Sequence, residues 1–137
     1  MTAFVDTSAF YAATDRGDSS HERAKTLIAE EAALVTSDHV LVETWFLLRS
    51  RGGHAAAELF WQGLRSGVAR VESVLSADLD RAWEIGESFP DQDFSLVDRT
   101  SFALMQRIGV ATAISFDDDF AIYRFGRSRE RAFEVRR

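Results

Sequence analysis

The feature that most constrains this chain is its beginning. The apolar run Thr2-Ala3-Phe4-Val5 reaches a carboxylate at Asp6, and the small hydroxyl residues Thr7 and Ser8 then open a helix. Strand, acid, turn and helix is how an open α/β domain starts, and ligands of such domains sit outside the carboxyl ends of the strands. Further along, Ala33-Leu34-Val35-Thr36 and Val110-Ala111-Thr112-Ala113-Ile114 read as strands. Val68-Ala69-Arg70-Val71 alternates like a strand, and Ala132-Phe133-Glu134-Val135 reads as a last edge strand. Apolar residues at helical spacing predict helices over about 7–13, 20–33, 39–51, 54–64, 76–88 and 95–108, with a short one beginning at Asp117. Gly52-Gly53, Pro90 and Gly109 supply the stops. Strands alternating with helices predict an α/β fold, a three-layer sandwich around a mainly parallel sheet.

Composition bounds what such a fold does. With 137 residues, 46% of them hydrophobic, and one proline, the chain predicts a single domain over 1–137 with one sizeable core. The absence of cysteine removes disulfides and thiolate metal sites. No apolar run is long enough to span a bilayer, and the N-terminus lacks the pattern of a signal peptide. The expected location is therefore cytoplasmic, with no membrane partner. A net charge of −6 argues against nucleic-acid binding by bulk electrostatics, but leaves room for local basic patches or metal ions. Arg124, Arg127, Arg129, Arg131, Arg136 and Arg137 gather near the C-terminus. They read first as a solvated basic tail, and functionally as contacts for phosphate or for an acidic partner segment.

Several acids fall where an α/β domain places ligands. Asp6 follows the first strand, Asp117 follows Ile114-Ser115-Phe116, and Asp98 lies in the first turn of the helix that Ser95 opens. Each also has a structural reading, since Ser95 with Asp98 matches a capping box and Asp6 or Asp117 can cap a helix. Glu43 is different. Val40, Leu41, Val42, Trp45, Phe46, Leu47 and Leu48 surround it in nearly every helical direction, which predicts a helix buried on most sides. A carboxylate there must be paired with an arginine such as Arg49 or Arg99, protonated, or bound to a cation. Oxygen donors alone suit Mg²⁺ or Mn²⁺. His21, His39 and His54 show no zinc spacing and read as surface residues. Acids that gather a divalent ion are a recurring means of phosphodiester hydrolysis.

Together these stretches carry a resemblance. Phe4-Val5-Asp6-Thr7-Ser8, Glu43 in its apolar helix, Phe94-Ser95-Leu96-Val97-Asp98 and Thr112-Ala113-Ile114-Ser115-Phe116-Asp117-Asp118-Asp119-Phe120 resemble the acidic motifs of PIN domains. Their order and spacing are similar to those of VapC-type toxins of bacterial toxin–antitoxin pairs. The resemblance implies a Mg²⁺-dependent endoribonuclease that cuts RNA, is inhibited by a cognate VapB-type antitoxin and is usually a homodimer. It implies Asp6, Glu43, Asp98 and Asp117 as the catalytic acids, with Asp6, Asp98 and Asp117 holding metal. Asp119 matches a further acid of some members, and Asp118 is expected to face solvent. Receiver domains and haloacid-dehalogenase-like phosphatases fit less well. The only lysine, Lys25, comes too early for the first, and Ser8 stands where the second requires an aspartate. The competing class is a PIN-like module that binds RNA or protein without cutting.

Overall fold

Short apolar runs that end in polar residues pair most easily as buried parallel strands. A computed structural model describes residues 1–137 and shows five of them. The elements in chain order are β1 (Thr2–Val5), α1 (Thr7–Thr14), α2 (His21–Glu30), β2 (Ala33–Ser37), α3 (Asp38–Gly52) and α4 (His54–Arg65). They continue with β3 (Arg70–Glu72), α5 (Ser76–Ser88), α6 (Leu96–Ile108), β4 (Thr112–Ile114), α7 (Asp119–Ile122) and β5 (Glu134–Arg136). All pairings are parallel, in the order β3-β2-β1-β4-β5. The chain thus builds outward from β1 through β2 to β3, then crosses to the other side of β1 to place β4. That reversal makes the carboxyl ends of β1 and β4 the switch point, where open α/β sheets bind ligands.

The central strands are fully buried at Ala3, Phe4, Val5, Ala113 and Ile114. Helix α1 packs on α2 and α3, and α3 on α4; α5 packs on α6, and α6 on α7. The second group rests on aromatic side chains. The Phe102 and Tyr123 rings stack at 4.4 Å, and Phe120 meets Phe102 edge-on at 4.9 Å. These contacts fasten the segment after α7 onto α6. Gly109, at φ 74° after the last turn of α6, closes that helix as expected.

Several expectations change. Strand β3 lies two residues later than its alternation suggested, with Arg70 opposite Val35. Helix α3 is not buried on most sides. Only Val40, Thr44 and Leu48 are buried along it, whereas Val42 is 51% and Phe46 62% exposed. Its apolar residues exceed what the sheet, α1 and α4 cover. The histidines are not all on the surface: the His21 ring is largely enclosed, with Nδ1 2.8 Å from the Ala12 carbonyl oxygen. His39 is half-buried, with Nδ1 3.3 Å from Thr100 Oγ1. Of the C-terminal arginines, Arg124, Arg127, Arg129, Arg131 and Arg137 are exposed as the solvated reading expects, but several are also engaged with the rest of the chain. Arg136 pairs with Glu30 and Glu31 of the α2 end, Arg137 pairs with Asp118, and Arg129 lies over the Phe89 ring.

One ion pair fastens α5 to the far end of α6. Asp78 is 2% exposed and accepts from Arg107 Nε and Nη2, each at 2.9 Å, and from the Leu75 backbone N–H. Arg107 also donates to the Ser73 carbonyl. Removing the guanidinium leaves the Asp78 charge enclosed and unpaired, so Arg107→Ala should cost about 3 kcal/mol of stability in urea unfolding. A loss below about 1 kcal/mol, the worth of an exposed pair, would show that this contact does not hold α5.

Candidate metal centre at the sheet edge

The switch point gathers acids from both sides. Asp6 ends β1 and stands at the N-cap of α1, yet its side chain makes no capping bond. Its Oδ2 instead accepts from Ser8 Oγ at 2.9 Å and from Ser115 Oγ at 2.8 Å. Each serine oxygen in turn accepts a backbone N–H, from Phe116 to Ser8 at 2.9 Å and from Asp117 to Ser115 at 3.1 Å. Each hydroxyl thus accepts a backbone N–H with a lone pair while its own proton, in the shortest contacts, is directed at Asp6. The loops after β1 and β4 are thereby tied through one carboxylate oxygen.

Asp98 fulfils both of its sequence readings at once. Its Oδ2 accepts from the Ser95 backbone N–H, and its own N–H donates to Ser95 Oγ, completing the capping box that starts α6. The box fixes the carboxyl where it faces the β4 loop. Asp98, Asp117 and Asp119 each offer a carboxylate oxygen within 4.8 Å of the others. The turn that brings Asp119 back is closed by its N–H on Asp117 Oδ1 at 2.9 Å. Asp118 points away, exposed and paired with Arg137.

Crowding and burial oppose ionisation here. Burial pushes the Asp6 carboxyl up to about 6 against the lowering effect of its two serine donors. Burial, a hydrogen bond with Asp119 and the charges of Asp6 and Asp117 push Asp98 up to about 8. Asp119 is also raised, first by burial. Hard oxygen donors at this spacing fit a small divalent cation, and such a cation relieves the repulsion that raises these groups.

A family model for the PIN domain matches residues 3–126. The chain belongs to the PIN-domain family. This PIN domain is 46% identical over 120 residues to the 23S rRNA-specific endonuclease VapC20 of Mycobacterium tuberculosis, spanning 86% of this chain and 91% of that protein. It is 27% identical over 114 residues to ribonuclease VapC26 of the same organism, spanning 82% and 84% of the two chains. The crystal structure of M. tuberculosis VapC20, described as a Sarcin-Ricin loop cleaving toxin, superposes with a TM-score of 0.84 and 41% identity, over 89% of this chain and 94% of that one. The VapBC2 structure from Rickettsia felis, bound to a promoter DNA fragment, shares the fold at a TM-score of 0.68 and 11% identity, over 99% and 98% of the chains. The PIN fold expected from the motifs is thus the one observed.

The predicted site residues divide. Asp98 and Asp117 lie in the three-acid group, and Asp6 adjoins it closely enough for its charge to raise Asp98. Glu43 does not lie in that group. It is half-buried on α3 with no hydrogen bond or ion pair, and neither Arg49 nor Arg99 pairs with it. Half-exposed, Glu43 needs no partner within the chain. Asp119 joins the group, and Ser115 is a site residue that sequence reasoning missed. Its signal was a hydroxyl between the buried strand and Phe116-Asp117.

The raised acids set a pH dependence. Asp6 and Asp98 hold protons in the folded protein that the unfolded chain releases above about pH 4. In a chelator, stability should therefore be greatest at the acid end of the native range and fall as pH rises toward about 8. Urea melts between these limits should show that fall, and Asp98→Asn should remove most of it. Equal stability across the window would mean that the acids are not crowded in solution.

Proposed function

We propose that this PIN domain is a divalent-metal-dependent endoribonuclease acting as the toxin of a toxin–antitoxin pair, on a structured ribosomal RNA as VapC20 does. The carrying observation is the acid group at the switch point of a chain 46% identical to a 23S rRNA-specific endonuclease. We assign Asp98, Asp117 and Asp119 to hold Mg²⁺ or Mn²⁺, with the Asp6 carboxylate beside them. Such an ion, when bound, supplies neutralisation of the scissile phosphate and acidification of water. Ser8 and Ser115 keep Asp6 oriented, and the Ser95 capping box keeps Asp98 oriented, so the acids are placed before substrate arrives. Glu43, free of any protein partner, is assigned to water or substrate rather than to the ion. A non-catalytic RNA- or protein-binding module is the second reading; a chain that only binds has no use for four aspartates held so close together.

The assignments separate by experiment. Millimolar Mg²⁺ or Mn²⁺ should raise the melting temperature, and Asp6→Asn with Asp98→Asn should abolish most of that rise. Glu43→Gln should keep the rise and the stability in chelator, yet lose about a hundredfold in RNA cleavage. Full cleavage by Glu43→Gln would remove it from the site, and an undiminished metal shift in the double variant would place the ion elsewhere.

The partners follow from surfaces. A groove of about 400 Å³ runs between α1, α2 and α4, lined by Phe10, Ile28, Phe60 and Leu64, with Arg16 and Lys25 at its margin. We assign it to an amphipathic segment of a VapB-type antitoxin, with acidic residues beside its apolar ones. The same antitoxin is expected to place an arginine or lysine among the aspartates in the role of the cation's charge. The exposed apolar residues of α3, Val42 and Phe46, are assigned to a homodimer contact. An antitoxin stripped of every basic residue in its C-terminal segment should bind in the groove but fail to inhibit. Full inhibition by that variant would refute charge mimicry.

A further inference from the structure

Beside the acid group lies a second cleft, between the C-terminal half of α5 and the loop leading into α6. It has a volume of about 360 Å³, and Trp83, Gly86, Gln92, Asp93 and Arg99 are among the residues that line it. Arg99 follows Asp98 directly, so the first turn of α6 serves both the acid group and this cleft. Its side chain is laid back across α5, with Nη1 donating to the Ala82 carbonyl at 3.3 Å and Nε to the Ser95 carbonyl at 3.4 Å. Those acceptors are neutral. Only Arg99 and Arg136 among the arginines are half-buried rather than exposed, and Arg136 is matched by two glutamates. Arg99 has no carboxylate within 4 Å.

The position of that guanidinium depends on a missing side chain. A Cβ built on Gly86 would stand 2.0 Å from Arg99 Nη1 and 3.1 Å from its Cζ. Gly86 lies inside α5 with no positive φ, so the helix itself has no requirement for glycine there. At the mouth of the same cleft Trp83 is 68% exposed, which leaves an aromatic face open to solvent.

We propose that this cleft holds one unpaired nucleotide of the RNA next to the cut, with its phosphate on Arg99 and its base on Trp83. The inference rests on the ribonuclease reading above. A phosphate chain beside an acid-rich centre gains from a fixed cation at the next position, and Arg99 is placed to be one in a chain of net charge −6. Stacking on tryptophan serves any base, whereas the Asp93 carboxylate accepts only from amino or imino edges. Each of the four RNA bases carries such a donor, so Asp93 excludes none, and guanine alone offers it two adjacent ones.

The test uses the full chain, a fluorescein-labelled RNA stem–loop with an unpaired loop, and Ca²⁺ in place of Mg²⁺, with the RNA confirmed intact on a gel. Arg99→Ala should weaken binding about fivefold or more, and reduce the slope of log affinity against log salt by about one phosphate contact. Trp83→Ala should weaken it about tenfold. Gly86→Ala should displace only the flexible guanidinium. It should therefore weaken binding as Arg99→Ala does while its melting temperature holds or rises, since alanine favours a helix interior. The two changes together should be no worse than Arg99→Ala alone. If Arg99→Ala does not fold, Arg99→Lys and Gly86→Ala carry the same comparison. Unchanged binding in Arg99→Ala or in Gly86→Ala overturns the proposal. So does a Trp83→Ala protein whose only change is its oligomeric state by light scattering, since the cleft would then be a protein contact. Binding that depends on Arg99 in a wild-type protein that never cuts RNA with Mg²⁺ or Mn²⁺ supports the cleft and refutes the nuclease. Failure of wild type to bind the RNA overturns both.

Discussion

The structure depends on keeping several carboxylates close together without letting them push the fold apart. Parallel pairing of β1 with β4 brings Asp6 and the Asp117 loop to one edge. Two serine protons then converge on a single oxygen of Asp6. Because each serine also accepts from the β4 loop, the hydrogen bonds that orient the acid also link the two loops. An acid site built on strand ends and one helix cap is more precise than one carried by free loops. Repulsion within it is borne by pairing elsewhere in the sheet, and is relieved by protons or a cation.

The other half of the site depends on α6, and α6 is held from both ends. At its start the Ser95–Asp98 box satisfies backbone donors with the same side chain that faces the other aspartates. At its end Arg107 reaches the enclosed Asp78 of α5. Between them Phe102 is stacked on Tyr123 and set edge-on to Phe120, so the helix cannot slide without breaking aromatic packing. Asp119 starts α7, whose Phe120 is fully buried in that packing. The apolar core thus sets the distance between Asp98 and Asp119, which links stability to the geometry of the site.

Much of this was legible in the sequence because it is local. A four-residue apolar run ending in an acid defines β1, and the hydroxyl three residues before Asp98 defines its cap. Three aspartates and the parallel α/β class followed from such short patterns. What was not legible depended on distance or on partners. The Ser115–Asp6 bond joins residues 109 apart, and no periodicity reveals it. Asp119 joins the group only because Asp117 closes a turn. The burial of the helix around Glu43 was misjudged because an apolar ring around a helix reports that something covers it, not that this chain does. The half-open flank of α3 suits another protein as well as it suits a core.

Charge explains why the acid edge cannot act alone. Half of the sixteen cationic side chains in this chain are already engaged: Arg70, Arg81, Arg107, Arg136 and Arg137 face carboxylates, while Arg51, Arg129 and Arg131 lie over aromatic rings. The net charge of −6 repels a polyanion at a distance. On the function proposed here, binding strength comes from a few fixed positions near the reacting phosphate: a cation among the aspartates and the proposed Arg99 contact. That arrangement disfavours indiscriminate attachment to RNA, since a strand that fits no pocket gains little. It favours RNAs whose shape presents one phosphate and one unpaired base at the correct separation, and selectivity then arises from geometry rather than from attraction.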